Sequence, residues 1–586
     1  MYRAAFVPVL FALILLAFSL ENRPRPLTTS LAPDAFDGTA AYRDAYGRTG
    51  LAARFPERRP GSVGDEQLAS LIARRMEATP GFRVRTATID GETIDGNRPL
   101  RTVIAERTGT VDERIVVVAH RDAAGHGAAA ELSGTAALLE LGRVFGAPRQ
   151  TRRTLVLVST SGGSGGAAGA AALAKQLGGP VAAVLVLGDL ASTKVRTPFV
   201  SPWSNALGAS PLRLRTTLQQ AVRTETGTRA DPPRALTQFM RHALPATYGE
   251  QGVLLAEGIP AVLLSVNGDL PPAADAPVSR ERLQAFGRVA LRTVTALDGA
   301  TRAQALLGQR TSSDLMTNRK VVPGWAIRMF TGALLIPPLL AAVDGFAAVR
   351  RHRARVLTWL RWTLVWALPF LLAALFAIAL SLVGLLTAAP GAPVPPDALG
   401  VALPALLAVA LAFALAWAWL RPFAMRLVHA GGDLAEPGAG SMLMLVALAA
   451  TVAIWVGNPY AAALVIPAMH AGLFALAPEL RVRRTIRLVA VAIGALPLAV
   501  VAIALSRALG LDVLEALWVG LLLVAGGHVS LLSVVLWSLL AGCAAGALRV
   551  AARPDADIEA TPITVRGPRT YAGPGSLGGT ESALRR

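Results

Sequence analysis

The sequence predicts two structural classes in one chain: an α/β domain with a mostly parallel sheet and helices on both faces, followed by an all-α transmembrane bundle. Hydrophobic residues make up 53% of the 586 residues and charged residues only 16%, whereas soluble domains carry about a quarter charged residues. Residues 55–300 alternate strand-like and helix-like runs, which is typical of an α/β sheet. After residue 323 the chain consists mainly of apolar runs long enough to cross a bilayer.

The first 20 residues predict a signal anchor, that is, an uncleaved transmembrane helix. An apolar run follows Arg3, and no clear cleavage site with small residues precedes Glu21. A long apolar run without such a site favours retention over cleavage.

The rest of the chain divides by composition. We predict a connector at 21–54, the α/β domain at 55–300, a linker at 301–322, the transmembrane bundle with about seven spans at 323–550, and a basic, disordered cytoplasmic tail at 551–586. The α/β segment is large enough for one hydrophobic core. The tail is rich in Pro, Gly and Arg, which is typical of disorder.

Charge in the loops predicts the topology of the bundle. Arginines are concentrated in alternate loops, as at 350–355, whereas the loop at 388–393 has no charge. By the positive-inside rule, this predicts eight spans in total, both termini in the cytoplasm and the α/β domain outside it as an ectodomain. We expect a multi-pass protein of the plasma membrane. The 514–548 run could also form two segments, which would move the C-terminus outside, but the basic tail argues against that.

Charge and cysteine content limit the partners. The formal net charge is +19, but the basic residues are not interleaved with aromatics and lie partly in the short loops of the bundle. The lipid bilayer is therefore the expected partner, and nucleic acid is not. The only cysteine, Cys543, lies in an apolar run, so the sequence excludes an intrachain disulfide and a cysteine-based zinc site.

A buried strand that ends in His-x-Asp is the most informative motif of the α/β domain. The apolar run 115–119 leads directly into His120, Arg121 and Asp122. An imidazole at a strand end can bind zinc, and a carboxylate two residues on, on the same strand face, can orient that imidazole through a hydrogen bond. We therefore expect His120 and Asp122 to form a hydrogen-bonded pair.

This motif, with Ser133-Gly134 opening an apolar helix, resembles the M28 family of di-zinc aminopeptidases. The resemblance covers roughly residues 55–300 and includes a strand that ends at Asp189. It implies a zinc-exopeptidase fold in which zinc activates water and a carboxylate acts as the base. His120, Asp122 and Asp189 stand at family positions, and His120 and Asp189 are the candidate metal ligands.

Other positions of the family pattern have changed. Counted from Ser133-Gly134, the metal-bridging aspartate of the family falls on Ala130. Counted from Gly166 and Gly169, the paired glutamates (the base and a ligand) fall on Gly163 and Ser164. Ser265 follows the strand after which the last histidine is expected. A catalytic zinc normally needs three protein ligands, so we expect a degraded centre without a functional metal.

Two enzymatic alternatives remain open. Glu131, His126 and Glu250 are substitute ligands for an active, zinc-dependent aminopeptidase, although no spacing supports them. The loop that holds Glu250 resembles the substrate loop of the family, but a glutamate there is more often a helix N-terminal charge. The pattern Gly163-x-Gly165-x-x-Ala168 also resembles a dinucleotide-binding fingerprint, with Asp189 at about the expected distance.

The leading prediction for function is a membrane-anchored, M28-like domain that is no longer catalytic and that binds peptide or scaffolds a complex of the cell envelope. A transporter-like bundle with an accessory ectodomain is a further alternative. Charged residues along a cavity in the bundle would favour this alternative. His470, in the middle of a span, is expected to be a neutral, hydrogen-bonded core residue rather than a proton relay.

Overall fold

The computed structural model describes residues 6–29, 33–148, 150–301, 311–351, 356–386, 392–434, 436–477, 480 and 482–554. Elements are labelled in chain order. The first five are α1 (Val7–Phe18), β1 (Glu21–Asn22), α2 (Gly38–Tyr46), α3 (Leu51–Arg54) and α4 (Val63–Glu77). The α/β domain continues with β2 (Arg83–Thr93), β3 (Gly96–Arg107), β4 (Val111–His120), α5 (Leu132–Gly146), β5 (Arg153–Thr160), α6 (Ala168–Gln176), β6 (Val181–Leu187), β7 (Val200–Ser201), α7 (Leu212–Thr226), α8 (Ala235–Ala243), α9 (Gln251–Ala256), β8 (Ala261–Leu264) and α10 (Arg280–Gly299).

One mixed sheet forms the centre of the α/β domain, in the order β2-β3-β5-β4-β6-β8-β7. Its four central strands, β5, β4, β6 and β8, are parallel to one another, and the outer strands pair antiparallel. The predicted α/β class with a largely parallel sheet is therefore confirmed. The antiparallel pairs at the edges were not predicted.

Both faces of the sheet are covered because alternate side chains of a strand point to opposite faces. Ile115 and Val117 of β4 belong to the core shared with α2, α4, α5, α7 and α10. Val116 and Val118 belong to a second core, shared with α6 and α9. This two-sided burial explains why the strand reads as a continuous apolar run.

The segment predicted as a connector, 21–54, contains structure that belongs to the domain. Phe36, Ala41 and Ala45 on and before α2, and Leu51 of α3, are buried in the larger of the two cores. These few apolar residues stand among Pro, Arg and Ala, so the composition does not reveal them.

The chain enters and leaves the α/β domain at one place. Two short strands follow the domain, β9 (Leu315–Met316) and β10 (Lys320–Val322), and β10 pairs with β1 directly after the N-terminal helix. Glu21 lies opposite Val321, and α11 begins at Gly324. The domain is thereby fixed at one end of the helical bundle.

Seven helical segments within the described residues are long and apolar enough to cross a membrane. They are α11 (Gly324–Arg351), α12 (Val356–Leu382), α13 (Leu403–Leu415) with its continuation through a π-helical turn (Ala416–Leu420) into α14 (Arg421–Leu427), α15 (Pro437–Gly457), α16 (Pro459–Leu476), α17 (Arg484–Ala508) and α19 (Leu531–Ala551). Two shorter apolar helices accompany them, α1 and α18 (Val513–Ala525). Residues 555–586 of the predicted tail lie outside the described part of the chain.

The long apolar run 514–548 forms two helices but only one span. Gly510, before α18, lies beside Leu270 of the α/β domain, and His528, after α18, lines a surface depression with Asp90. Both ends of α18 are therefore on the domain side, and α19 alone crosses. Its last residue, Ala551, accepts a hydrogen bond from Arg487 at the far start of α17.

The interior of the bundle is apolar. A cavity of about 910 Å³ between α15, α16, α17 and α19 is lined by Leu, Val, Ala, Met, Gly, Trp and Cys side chains and by no charged residue. His470 is hydrogen-bonded through Nε2 to the carbonyl oxygen of Leu334. This cavity therefore lacks the charged lining that would favour the transporter alternative.

Candidate functional site

The carboxyl ends of the central strands bring the candidate residues to one cleft. β4 ends at His120, β5 at Thr160, and Asp189 and Ser265 follow β6 and β8. The carboxyl edge of parallel strands is where open α/β sheets bind ligands. The cleft encloses about 500 Å³ and is lined by His120, Glu131, Gly163, Ser164, Asp189, Tyr248, Glu250, Ser265, Asp269, Leu270, Pro271, Pro272 and Pro395, among others.

Two glutamates flank the imidazole of His120. Nε2 of His120 lies 2.8 Å from Oε2 of Glu131, and Nδ1 lies 3.8 Å from Oε2 of Glu250. The other carboxylate oxygen of Glu250 accepts a hydrogen bond of 2.6 Å from the Thr160 hydroxyl. Glu131 comes from the 3₁₀ turn before α5, and Glu250 directly precedes α9. Three distant segments therefore meet at one ring.

These carboxylates control the charge of the ring. Burial by itself would lower the pKa of His120, but the interactions with Glu131 and Glu250 outweigh it and raise the pKa well above its usual value. A raised pKa favours the protonated imidazole, and a protonated imidazole has no lone pair for a metal.

Asp122 does not pair with His120 as predicted. Its carboxylate accepts hydrogen bonds from the backbone N–H groups of Gly163, at 3.1 Å, and Ser164, at 2.9 Å, and from the Ser164 hydroxyl, at 2.5 Å. The expectation of a shared strand face fails because β4 ends at His120, so the alternation of a strand does not continue to Asp122.

Asp189 stabilises its own turn. Its Oδ1 accepts hydrogen bonds from the backbone N–H groups of Ala191 and Ser192, both at 2.9 Å, and lies 3.4 Å from the Ser133 hydroxyl. Burial raises the pKa of Asp189. Its Oδ2 is buried without a hydrogen-bond partner among the described residues, and the residue lines the cleft.

The space that a catalytic glutamate needs is filled. A Cβ atom placed on Gly163 would lie 2.4 Å from Cβ and 2.5 Å from Cγ of His120, a separation that real Cβ contacts essentially never show. Ala130 is buried and has no oxygen to bridge two metals. The Ser164 hydroxyl is engaged with Asp122.

The residues present do not fit the di-zinc centre of the family. Ala130, Gly163 and Ser164, the positions at which the resemblance predicts the bridge, the base and one ligand, lack carboxylates. Glu131 and Glu250 lie at different nitrogens of His120, at 2.8 Å from Nε2 and 3.8 Å from Nδ1. Within the described part of the chain, no group of three His, Cys, Asp or Glu side chains is arranged to hold a metal ion.

Of the three residues that the sequence offered as substitute metal ligands, two lie at His120 and one does not. Glu131 and Glu250 reach His120, which their separation in sequence did not indicate. His126 does not: it is 70% exposed and lies 3.4 Å from the exposed Glu57.

The glycine-rich loop does not offer a phosphate site. The N–H groups of Gly163 and Ser164 already donate to Asp122, so a carboxylate of the same chain occupies the place of an anion. A Cβ on Gly165 would lie 2.4 Å from Ile94 and 3.7 Å from Val394, so this side of the loop is covered. These contacts do not support the dinucleotide interpretation of this loop.

Sequence reasoning missed several residues of the cleft. Tyr248 and Asp269 line it, as does Pro395 from the loop before α13. Asp269 pairs with Arg241 at 3.1 Å. No local pattern connects Pro395 with His120, because only the packing of the bundle on the domain brings them together.

Comparisons with known proteins agree with this architecture. Residues 102–241 match the sequence model of Peptidase family M28, so the chain carries an M28 peptidase-like domain. No curated protein matches the chain.

Similar solved structures include exopeptidases and glutaminyl cyclases. Glutaminyl cyclase of Porphyromonas gingivalis is 17% identical, over 45% of this chain and 99% of its own, with a TM-score of 0.34. The LapA aminopeptidase of Legionella pneumophila is 14% identical, over 46% of this chain and 74% of its own, with a TM-score of 0.37. A leucine aminopeptidase precursor of Bacteroides thetaiotaomicron is 16% identical, over 44% of this chain and 97% of its own, with a TM-score of 0.34.

Proposed function

We propose that the α/β domain is a peptide-binding form of the M28 fold that does not hydrolyse peptides through a di-zinc centre. The packing of His120 against Gly163 carries this proposal, because the ring occupies the space in which the catalytic glutamate would stand. General-base catalysis contributes roughly 10²–10⁴-fold to such reactions, and Ala130 provides no bridge between two mutually repelling cations.

The cleft suits a cationic group. Oε2 of Glu250 and Oδ2 of Asp189 are buried and make no hydrogen bond among the described residues. Oε2 of Glu250 faces Nδ1 of His120 at 3.8 Å, which is beyond hydrogen-bond distance. A buried acceptor left unpaired costs roughly 1–3 kcal/mol, so a ligand that donates there gains affinity. The amino terminus of a peptide, or a lysine side chain, provides such donors together with a positive charge.

The side of the membrane on which the α/β domain lies is inferred from the arginines at the ends of the bundle helices. Arg350, Arg426, Arg484 and Arg549 lie near the bundle end opposite the domain, as the helix directions require. The positive-inside rule assigns this end to the cytoplasm. The domain then stands outside, at the plasma membrane, where peptides or envelope proteins are its partners.

One observation favours the second candidate, an active zinc aminopeptidase with relocated ligands. Glu131 and Glu250 both lie at His120, and three such groups are enough for one catalytic zinc. They would first have to release the ring and turn toward a common point.

Metal analysis and an aminopeptidase assay on the full-length protein in detergent separate these candidates. We expect no stoichiometric zinc and no release of N-terminal residues in added zinc. Stoichiometric zinc together with chelator-sensitive release would overturn the proposal in favour of the second candidate.

Binding is tested with a fluorescent peptide that has a free amino terminus and with a control peptide of the same sequence whose amino terminus is acetylated. The peptide with the free amine should bind more tightly than the acetylated peptide. Glu250→Gln should weaken the binding of the free-amine peptide by about tenfold or more, because a charged hydrogen bond is lost. Glu257→Gln is the matched control, since this glutamate at the end of α9 is exposed. Thermal unfolding of both variants verifies that they fold. Equal affinity for both peptides, or no effect of Glu250→Gln, would contradict a cation site.

A further inference from the structure

The bundle covers one side of the cleft. Pro395, in the loop before α13, lines the cleft together with His120 and Glu250. Ala392 of the same loop is buried against Ala167 of the glycine-rich loop and Val253 of α9. The described part of this loop, residues 392–402, therefore packs directly on the α/β domain. We call it the roof segment.

Helix α18 supports the roof segment. Trp518 and Leu522 of this helix are buried in one apolar cluster with Val394 of the roof segment and Ile94 of the α/β domain. Beside this buried face, α18 exposes Leu517, which is 61% accessible. A short helix with one face buried in protein and apolar residues on another is suited to lie along a membrane surface.

The side of the cleft that the roof segment borders is therefore close to the bilayer. The span that starts with α13 begins at Leu403, a few residues after Pro395. On the neighbouring side, Leu270 of the cleft wall lies beside Gly510, in the turn between α17 and α18. Two loops of the bundle thus border the cleft on this side.

Acidic residues continue from the cleft to these loops. Asp397 of the roof segment and Glu515 of α18 lie near enough to Tyr248 to contribute to its raised pKa, after burial and Asp269. Asp397 is exposed. A cationic ligand is therefore attracted from the membrane side of the cleft as well as inside it.

We propose that the cleft receives its ligand along the membrane surface, and that this ligand is a peptide segment with a cationic group that belongs to a membrane-anchored protein. This inference rests on the proposed peptide-binding function and names the source of the peptide. A tether in the same bilayer raises the effective concentration of the segment at a cleft that the bundle borders.

Photocross-linking on the full-length protein in phosphatidylcholine vesicles tests this. Benzoylphenylalanine replaces Asp397, and in a control variant it replaces Glu21, an exposed acid directly after α1 and equally close to a span. The probe is a biotinylated peptide with a free amino terminus, joined at its carboxyl end to a lipid. The control probe is the same biotinylated peptide without the lipid.

We expect the lipid-tethered probe to label position 397 several-fold more than position 21. Glu250→Gln, added to the Asp397 variant, should reduce this labelling about tenfold. Equal labelling at the two positions, or equal labelling of position 397 by both probes, would overturn the inference. If the soluble peptide binds in a Glu250-dependent manner and the tethered probe does not label position 397, only this inference fails. If neither peptide binds, the proposed function fails with it.

Discussion

Gly163 determines the shape of the cleft because any side chain there would overlap His120. The imidazole can lie between Glu131 and Glu250 only while position 163 has no Cβ. The resemblance to the M28 pattern predicts a glutamate at this position, where its Cβ would overlap the ring of His120. Restoring the glutamate alone would therefore not restore a base.

Gly163→Ala should lower the free energy of unfolding by roughly 1–3 kcal/mol, the usual cost of overpacking. Gly178→Ala is the control, because a Cβ there would meet no atom within 4 Å, and its effect should stay within about 0.5 kcal/mol. Thermal unfolding of the full-length protein in detergent measures both. Similar unfolding temperatures for the two variants would show that the ring moves without cost.

His242 makes the stability depend on pH. Burial, and then the charge of Arg215, lower the pKa of His242 to about 3 from a usual value of 6.5. Its ring is tilted against that of Tyr460 with 4.9 Å between the centroids, and a backbone interaction with Asp314 opposes part of the pKa shift. The unfolded chain binds the proton at His242 more tightly than the folded chain does. The contribution of His242 to the free energy of unfolding is therefore complete above about pH 6.5 and decreases as the pH falls toward 3.

His242→Phe should remove this contribution. We expect the difference in unfolding temperature between pH 7.5 and pH 5 to be smaller for the variant than for the wild-type protein, as followed by tryptophan fluorescence. An unchanged difference would mean that other groups cause the pH dependence.

At the scale of elements, helix termini join the α/β domain to the bundle. Asn458 lies between α15 and α16, and its side-chain oxygen accepts hydrogen bonds from the N–H groups of Tyr460 and Ala461. Its side-chain nitrogen donates to the carbonyl oxygens of His242 and Ala243 at the end of α8. One side chain thus caps a helix of the bundle and also holds the domain.

Asn458→Asp separates the two roles. The carboxylate still caps α16, but it has no donor and repels the carbonyl groups of α8, so the backbone amides of α8 should exchange with deuterium faster. Asn458→Ala should show the same faster exchange and also lose the cap, worth about 0.5–2 kcal/mol. Unchanged exchange in both variants would exclude a role in docking.

At the scale of the whole molecule, the direction of each helix determines which loops share a side. The α/β domain, the roof segment and both ends of α18 are at one end of the bundle. The start of α17 and the end of α19 meet at the other end.

Cysteine labelling tests this arrangement across the membrane. In a Cys543→Ala background, Asp397→Cys and Asp112→Cys should react with a membrane-impermeant maleimide on intact cells. Arg351→Cys and Arg553→Cys should react only after the cells are permeabilised. Reaction of both pairs on intact cells, or the reverse order, would contradict the predicted topology.

The sequence alone determined the fold class, the membrane-spanning runs and the strand ends that carry His120 and Asp189. Strand and helix periodicity, span length and loop charge are local properties, so they can be counted along the chain. Only the tertiary structure decided that Glu131 and Glu250 would meet at His120 and that Asp122 would turn to the glycine-rich loop. These contacts depend on how loops fold after the strands end, where periodicity no longer applies. The position of Pro395 at the cleft depends on the docking of the bundle on the domain, which joins residues far apart in the sequence.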